Sequence, residues 1–263
     1  RKKIMKQLAG TMFVRNGIQY DYCFMEAIES LLELCDAVYV CDAGSNDGTL
    51  EKLRKIDHPK FNLIERSDLE WRQQSGKGCS KLCYFTDIAI DAAEKDGYVY
   101  NLYCQADEVI HEKSFKDIRK ACKLGYEGYM ISRINLWGSP YYQLDVTHDR
   151  LPCSKEVIRL AKTKYRSIGD AESLNVPRVN MQYIDAIRMY HMGFVRDREK
   201  MVDKSINMQE NVFEMESHDP KLDESPMFNP NLWFNAFKDL KLINEPLPKT
   251  IKEWAAKRVY KLN

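Results

Sequence analysis

Val99-Tyr100-Asn101-Leu102-Tyr103-Cys104-Gln105-Ala106-Asp107-Glu108 is the stretch whose reading decides the fold. Val99, Tyr100, Leu102 and Tyr103 suit a strand packed on both faces, as in a parallel sheet. Such a strand has no reason of its own to end in two acids. Asp107 and Glu108 at its carboxyl end stand where open α/β sheets bind ligands. A carboxylate there can hold a hard divalent cation, and the cation can hold phosphate oxygens. The plainer alternative is that Asp107 or Glu108 caps a helix expected from Glu112 to Cys122. On this stretch alone both readings stay open.

Toward the N-terminus the chain alternates strand and helix. Leu8 to Val14 is an apolar run that ends at Arg15-Asn16-Gly17, a strand and a turn. Tyr22 to Leu34 carries Phe24, Ala27, Ile28, Leu31 and Leu34 at helical spacing. Ala37 to Cys41 is a second buried strand and meets Asp42. The small, polar turn Ala43-Gly44-Ser45-Asn46-Asp47-Gly48-Thr49 follows, then a helix over Leu50 to Ile56 and a strand over Phe61 to Glu65. Connections of this kind imply parallel pairing with helices on both faces. Ser67 to Gly78 reads as a polar loop, and Lys81 to Lys95 as the helix leading into the Asp107 strand.

Toward the C-terminus the pattern loosens. Tyr126 to Leu136 reads as a strand. The segment with Asp149-Arg150, Arg159 and Gly169-Asp170-Ala171-Glu172 is irregular. Ile187 to Phe194 is a late strand carrying His191, and Arg198 to Met215 has helical spacing with abundant charge. Pro220 to Pro248 reads as an extended tail packing through Phe228, Trp233 and Phe237, and Thr250 to Tyr260 as a short helix. The expected division is a main domain over 1–195 and a C-terminal extension over 196–263 packed on it.

Composition narrows the classes. The chain has 263 residues, of which 44% are hydrophobic and 11% aromatic, so it can bury a large core and is not disordered. A net charge of +1 signals no strongly basic nucleic-acid binder. No run of about 18 apolar residues exists, so no span is expected. The basic Arg1 to Lys6 is not followed by the apolar stretch of a secretory signal. The eight cysteines show no CxxC spacing for zinc, and several sit in apolar runs, where a reduced thiol acts as a small hydrophobe. Cytoplasm is the expected compartment.

Three segments now align: Phe13-Val14-Arg15-Asn16 after the first strand, Asp42-Ala43-Gly44-Ser45-Asn46-Asp47-Gly48-Thr49 after the second, and Gln105-Ala106-Asp107-Glu108 after the central one. Together they resemble the GT-A fold glycosyltransferases, family 2 in particular, with its "D-x-G-S-x-D-G-T" turn. The resemblance covers roughly residues 8–195. It implies a GT-A, Rossmann-like α/β fold, a mostly parallel sheet flanked by helices with a helical or irregular C-terminal extension. It implies metal-assisted transfer of a hexose or pentose from a nucleoside-diphosphate sugar, UDP-sugar first, to an acceptor hydroxyl, with inversion expected.

The resemblance also distributes roles. Val14, Arg15, Asn16, Asp42, Ser45, Asp47, Gln105 and Ala106 fall on the donor side. A carboxylate such as Asp42 accepts hydrogen bonds from a ribose hydroxyl or base N–H, the plain alternative being an Asx turn. Lys77 and Lys81 are candidates for the diphosphate, with solvated loop lysines as the alternative. Asp107 takes the place of the metal-binding acid of the "D-x-D" motif, whose first position is here the neutral Gln105. Glu108 is expected to turn away to the helix start. His191 corresponds to a late histidine ligand, suited to Mn²⁺ more than Mg²⁺. An inverting reaction needs a base for the acceptor hydroxyl, and Asp170, Glu172 and Asp149 are the candidates.

The acceptor, whether a glycan, a small molecule or a modified nucleic-acid base, is not written in these motifs. Trp71, Trp137, Tyr141, Tyr142 and Trp233 are either stacking platforms or packing. The alternatives are a phage-type glycosyltransferase acting on DNA bases, a nucleotidyltransferase, and a non-catalytic GT-A-like binding module that the Gln105 departure would favour.

Overall fold

The computed structural model describes residues 6–77, 80–144, 154–215, 229 and 240–258. Its N-terminal half is the expected series. Strands β1 (Leu8–Val14), β2 (Ala37–Asp42), β3 (Phe61–Glu65) and β4 (Tyr100–Tyr103) alternate with helices α1 (Phe24–Leu34), α2 (Thr49–Leu53), α3 (Asp68–Gln73) and α4 (Ser80–Lys95). β1 pairs in parallel with β2 and β4, and β2 with β3. β1 and β2 end together, Val14 opposite Asp42, and β4 runs beside them. The Arg15-Asn16 turn, the Asp42 turn and Asp107 are therefore delivered to one edge of the parallel block.

Both faces of this block are covered because its strands alternate between two cores. Leu8 and Met12 of β1 pack with Phe24, Ile28, Leu31 and Leu34 of α1. Ala9 packs on the opposite side with Phe85, Ala89 and Ala93 of α4 and with Trp71 of α3. α3 replaces part of the loop expected over Ser67 to Gly78. Ser67 accepts a hydrogen bond from Glu70 N at 3.1 Å, and this Ser-x-x-Glu spacing is a helix-start signal.

The second half changes direction. After β5 (Glu108–Ile110) and α5 (Phe115–Leu124) come β6 (Gly128–Trp137), β7 (Ser139–Leu144), β8 (Glu156–Lys162), the small β9–β10 pair (Ser167–Ile168, Ser173–Leu174) and β11 (Met181–Phe194). α6 (Arg198–Asn207) leads into a single π turn over Met208–Val212, and β12 (Leu240–Leu242) and α7 (Lys252–Ala256) close the described chain. The sheet runs β12-β7-β6-β8-β4-β1-β2-β3, with β11 pairing β6 and β5. β8 is antiparallel to both β4 and β6, and β7 to β6, whereas β11 runs parallel to β6. The result is a mixed α/β sheet, parallel in its first half, flanked by helices. β7 and β8 fall in the segments read as irregular. The proposed tail contacts Phe228, Trp233 and Phe237 lie outside the described residues. No helix among the described residues is long and apolar enough to cross a membrane.

Candidate active site

The carboxyl end of β4 opens into a cavity of about 140 Å³ whose floor holds Gln105, Ala106, Asp107 and His191. His191 is placed by register: it stands opposite Asn135 on β6 and Glu108 on β5. The Met192 N–H donates to the Asp107 carbonyl at 2.7 Å, tying the two segments together. The Asn135 amide nitrogen donates to Ser154 O at 3.2 Å, so its oxygen faces His191 Nδ1 at 2.9 Å and accepts that proton. The Nε2 lone pair then faces Asp107 Oδ2 across 3.8 Å. Burial drives the His191 pKa well below its ordinary value, against the pull of Asp107, and keeps the ring neutral.

Two lone-pair atoms confronting each other in a buried site call for a cation. Ligands held at about 2.1 Å from one ion lie at most about 4.2 Å apart. The Asp107–His191 separation meets this limit, and a histidine oriented by a hydrogen bond from its other nitrogen is the usual ligand arrangement. The donor set therefore fits a divalent metal. Among the described residues no cluster of three or more His, Cys, Asp or Glu side chains supplies a fuller shell.

Glu108 does not turn away to a helix start. It is fully buried, and its Oε1 accepts from Arg159 at 2.7 Å and from Arg133 at 3.4 Å. Its Oε2 accepts from Gln105 N at 2.9 Å. The carboxylate thus braces the Gln105–Asp107 turn from beneath. Gln105 reaches across the cavity, its amide 3.4 Å from Ala171 O.

The opposite wall carries Asp170 and Glu172. Gly169 and Ala171 on either side of Asp170 have φ of +66° and +60°. A buried non-glycine residue in that region is strained, and such strain clusters at functional sites. Arg133 and Ser154 hold Glu172. Burial would raise the Glu172 pKa, but Arg133 keeps it low. Asp170 has no ion-pair partner among the described residues. Burial, then the Glu172 charge, raises its pKa. Asp149 lies outside the described residues.

Of the donor-side candidates, Val14, Arg15, Gln105 and Ala106 line the cavity, whereas Asn16, Asp42, Ser45, Asp47, Lys77 and Lys81 do not. Arg15 lies over the Trp71 ring and donates to Ala43 O and Gly44 O, both at 2.6 Å, and to Asp68. It clamps the Asp42 turn onto α3, where a side chain at Gly44 would lie 2.4 Å from Asp68 N. Asp42 makes an Asx turn through Oδ1, which accepts from Gly44 N and Ser45 N, while its buried Oδ2 has no hydrogen-bond partner among the described residues. Burial raises its pKa against those bonds. Ser45 Oγ and Asp47 accept from backbone N–H groups of Asn16, Gln19 and Thr49. Lys77 is exposed and donates to Gln74. Lys81 is buried and donates to Asn211 O and Glu214. Trp71 lines the cavity, whereas Trp137 is fully buried against Phe194, with ring centroids 4.2 Å apart.

The sequence reading did not single out Arg133, Tyr22, Phe194 and Lys204, which also line the cavity. Two of them left a signal. Arg133 alternates with Ile131 and Asn135 on the buried face of β6. Lys204 lies on the same helical face as Met201 and Ser205, an inward position for a charged residue.

No protein-family model matches the chain, and no curated protein matches it in sequence. Solved structures resemble it. TarS residues 1–349 of S. aureus, in complex with UDP, is 15% identical, with 89% of this chain and 79% of that chain covered and a TM-score of 0.44. Glucosyl-3-phosphoglycerate synthase of Mycobacterium tuberculosis, in complex with Mn²⁺, UDP and glucosyl-3-phosphoglycerate, is 12% identical, covering 81% and 82%, with a TM-score of 0.43. Likenesses this distant carry no weight for donor, metal or acceptor, which rest on the geometry of this chain.

Proposed function

We propose that this chain, an α/β protein of the GT-A type, transfers a sugar from a nucleoside-diphosphate sugar to an acceptor hydroxyl with the help of a divalent cation and with inversion. The observation that carries the reading is the convergence of Asp107 Oδ2 and the deprotonated Nε2 of His191 across 3.8 Å on the cavity floor. These two residues would hold Mn²⁺ or Mg²⁺, which when bound neutralises charge on the leaving diphosphate. Mn²⁺ is favoured by the imidazole ligand.

The chain's own groups divide the remaining work. Asp170 faces the cavity without a cation partner and takes the proton of the attacking hydroxyl as its bond to the sugar forms. Its raised pKa makes it a better base than an ordinary aspartate. Glu172, held by Arg133, positions that turn. Arg15 and Trp71 form the wall beside the Asp42 turn and frame the nucleotide base. The 196–263 extension contributes α6 to the cavity wall through Lys204 and Asn207.

Calorimetric titration with UDP and other nucleoside diphosphates, with and without Mn²⁺, tests the reading. Binding of one nucleotide series that weakens strongly in Asp107→Asn is expected. Metal-independent or absent nucleotide binding in the folded wild-type protein would overturn it.

A further inference from the structure

Lys204 reaches from α6 into the metal end of the cavity and is only 8% exposed. Its ammonium occupies a seat made for a cation. The Gly193 carbonyl accepts from it at 2.7 Å, and Asp107 Oδ2 lies 3.5 Å away. The rings of Tyr22 and Phe194 face it with centroids at 5.5 and 5.4 Å. The Asp107 oxygen it approaches is the one that faces His191 Nε2.

A second cation adds to the field. Arg196 is fully buried, lies 5.3 Å from the same Tyr22 ring, and has no hydrogen-bond partner among the described residues at any of its three guanidinium nitrogens. Lys204 and Arg196 both act on the Asp107 carboxylate, Lys204 the more strongly. The Glu108, Glu172, Arg133 and Arg159 network beneath it is balanced within itself. A divalent cation approaching the free protein meets an ammonium already beside the Asp107 oxygen and, among the described residues, finds two protein ligands there. A diphosphate offers that ammonium another anion and brings further oxygen ligands.

We infer that Lys204 is the resident counter-ion of Asp107 and makes divalent-metal binding conditional on a nucleoside diphosphate, to which its ammonium passes when the donor enters. This rests on the reading of Asp107 and His191 as metal ligands given above. Metal and diphosphate then bind as a coupled pair, each tightening the other by the same factor.

The test is Mn²⁺ binding to the full chain, followed by the paramagnetic resonance signal of free Mn²⁺, with and without UDP. Wild type is expected to bind Mn²⁺ weakly alone and about ten-fold or more tighter with UDP. Lys204→Met is expected to bind Mn²⁺ alone about ten-fold tighter than wild type and to lose most of the gain from UDP. Lys204→Gln is the second neutral variant should the first fail to fold, with circular dichroism as the check. Lys204→Arg keeps the charge and should behave as wild type. Equal Mn²⁺ affinity of wild type and the neutral variants without UDP would overturn the role of Lys204 and leave the metal reading intact. Mn²⁺ affinity that Asp107→Asn does not change, with or without UDP, would overturn both.

Discussion

Asp170 and Glu172 lie two residues apart in one strained turn, yet their carboxyl pKa values are pushed in opposite directions. Arg133 sits 2.5 Å from Glu172 and fixes it as an anion, while burial and the Glu172 charge favour the neutral form of Asp170. Under the proposed function the pair separates a positioning acid from a proton acceptor. Pairs whose environments push their pKa values apart are how acid and base roles are assigned.

Asp170→Asn should lower kcat for donor hydrolysis by about 10²- to 10⁴-fold, the usual contribution of a general base, with little change in donor KM. Glu172→Gln should act more weakly. Because the active form of Asp170 is ionised, kcat falls as pH drops through its pKa, and burial moves that limb above the ordinary aspartate value. Steady-state kinetics across pH checks both statements. A wild-type rate in Asp170→Asn would remove it from the chemistry.

The buried pair beneath the metal end gives a stability prediction. Glu108 and Arg159 are both fully buried, with the guanidinium also donating to Ala171 O at 3.0 Å. Removing one partner of such a pair leaves an uncompensated charge and costs about 3–5 kcal/mol. Glu108→Gln should lose stability in this range by urea denaturation and weaken nucleotide binding, because the Gln105 N–H loses its acceptor. A loss under about 1 kcal/mol would mean that the network is solvated.

The sequence made the parallel half of the fold legible because its strands are mostly apolar and each turn carries its own signal. Asp107 was singled out because an acid ends an apolar strand, and His191 and Asp170 because the family resemblance places a late ligand and a base after that motif. Lys204 and Arg133 were missed because each sits inside an element otherwise rich in charge or irregular in pattern. Packing shows that their charged ends point inward. β7 and β8 were missed because they are antiparallel additions flanking a segment with mixed turn signals. Glu108 looked like a cap because its partners, Arg133 and Arg159, are distant in sequence.

Gly193 tests the shape of the metal end. A Cβ at this position would lie 2.3 Å from His191 Nε2 and 3.2 Å from Asp107 Oδ2, inside the space between the two proposed ligands. Gly193→Ala must push the imidazole aside. We expect it to abolish the Mn²⁺-dependent part of the thermal shift seen with UDP, while the melting temperature without ligand moves by only a few degrees, as for a ΔΔG of about 1 kcal/mol. Retention of the full Mn²⁺-dependent shift would mean that His191 takes no part in holding the ion.

Asp107 also predicts acid sensitivity. Burial works to raise its pKa, but nearby positive charge, that of Lys204 foremost, brings it down from the ordinary 3.8 to about 2. The unfolded chain therefore takes up this proton at a higher pH than the folded one. The stability contributed by Asp107 is fully present above its unfolded value and is lost as pH falls from about 4 to about 2. At 1.36 kcal/mol per pKa unit the loss is on the order of 2 kcal/mol. Urea denaturation at a series of pH values should show Asp107→Asn less stable than wild type at neutral pH, with the difference shrinking through this window. A difference that stays constant down to pH 2 would mean that Asp107 and Lys204 are not coupled in the folded protein.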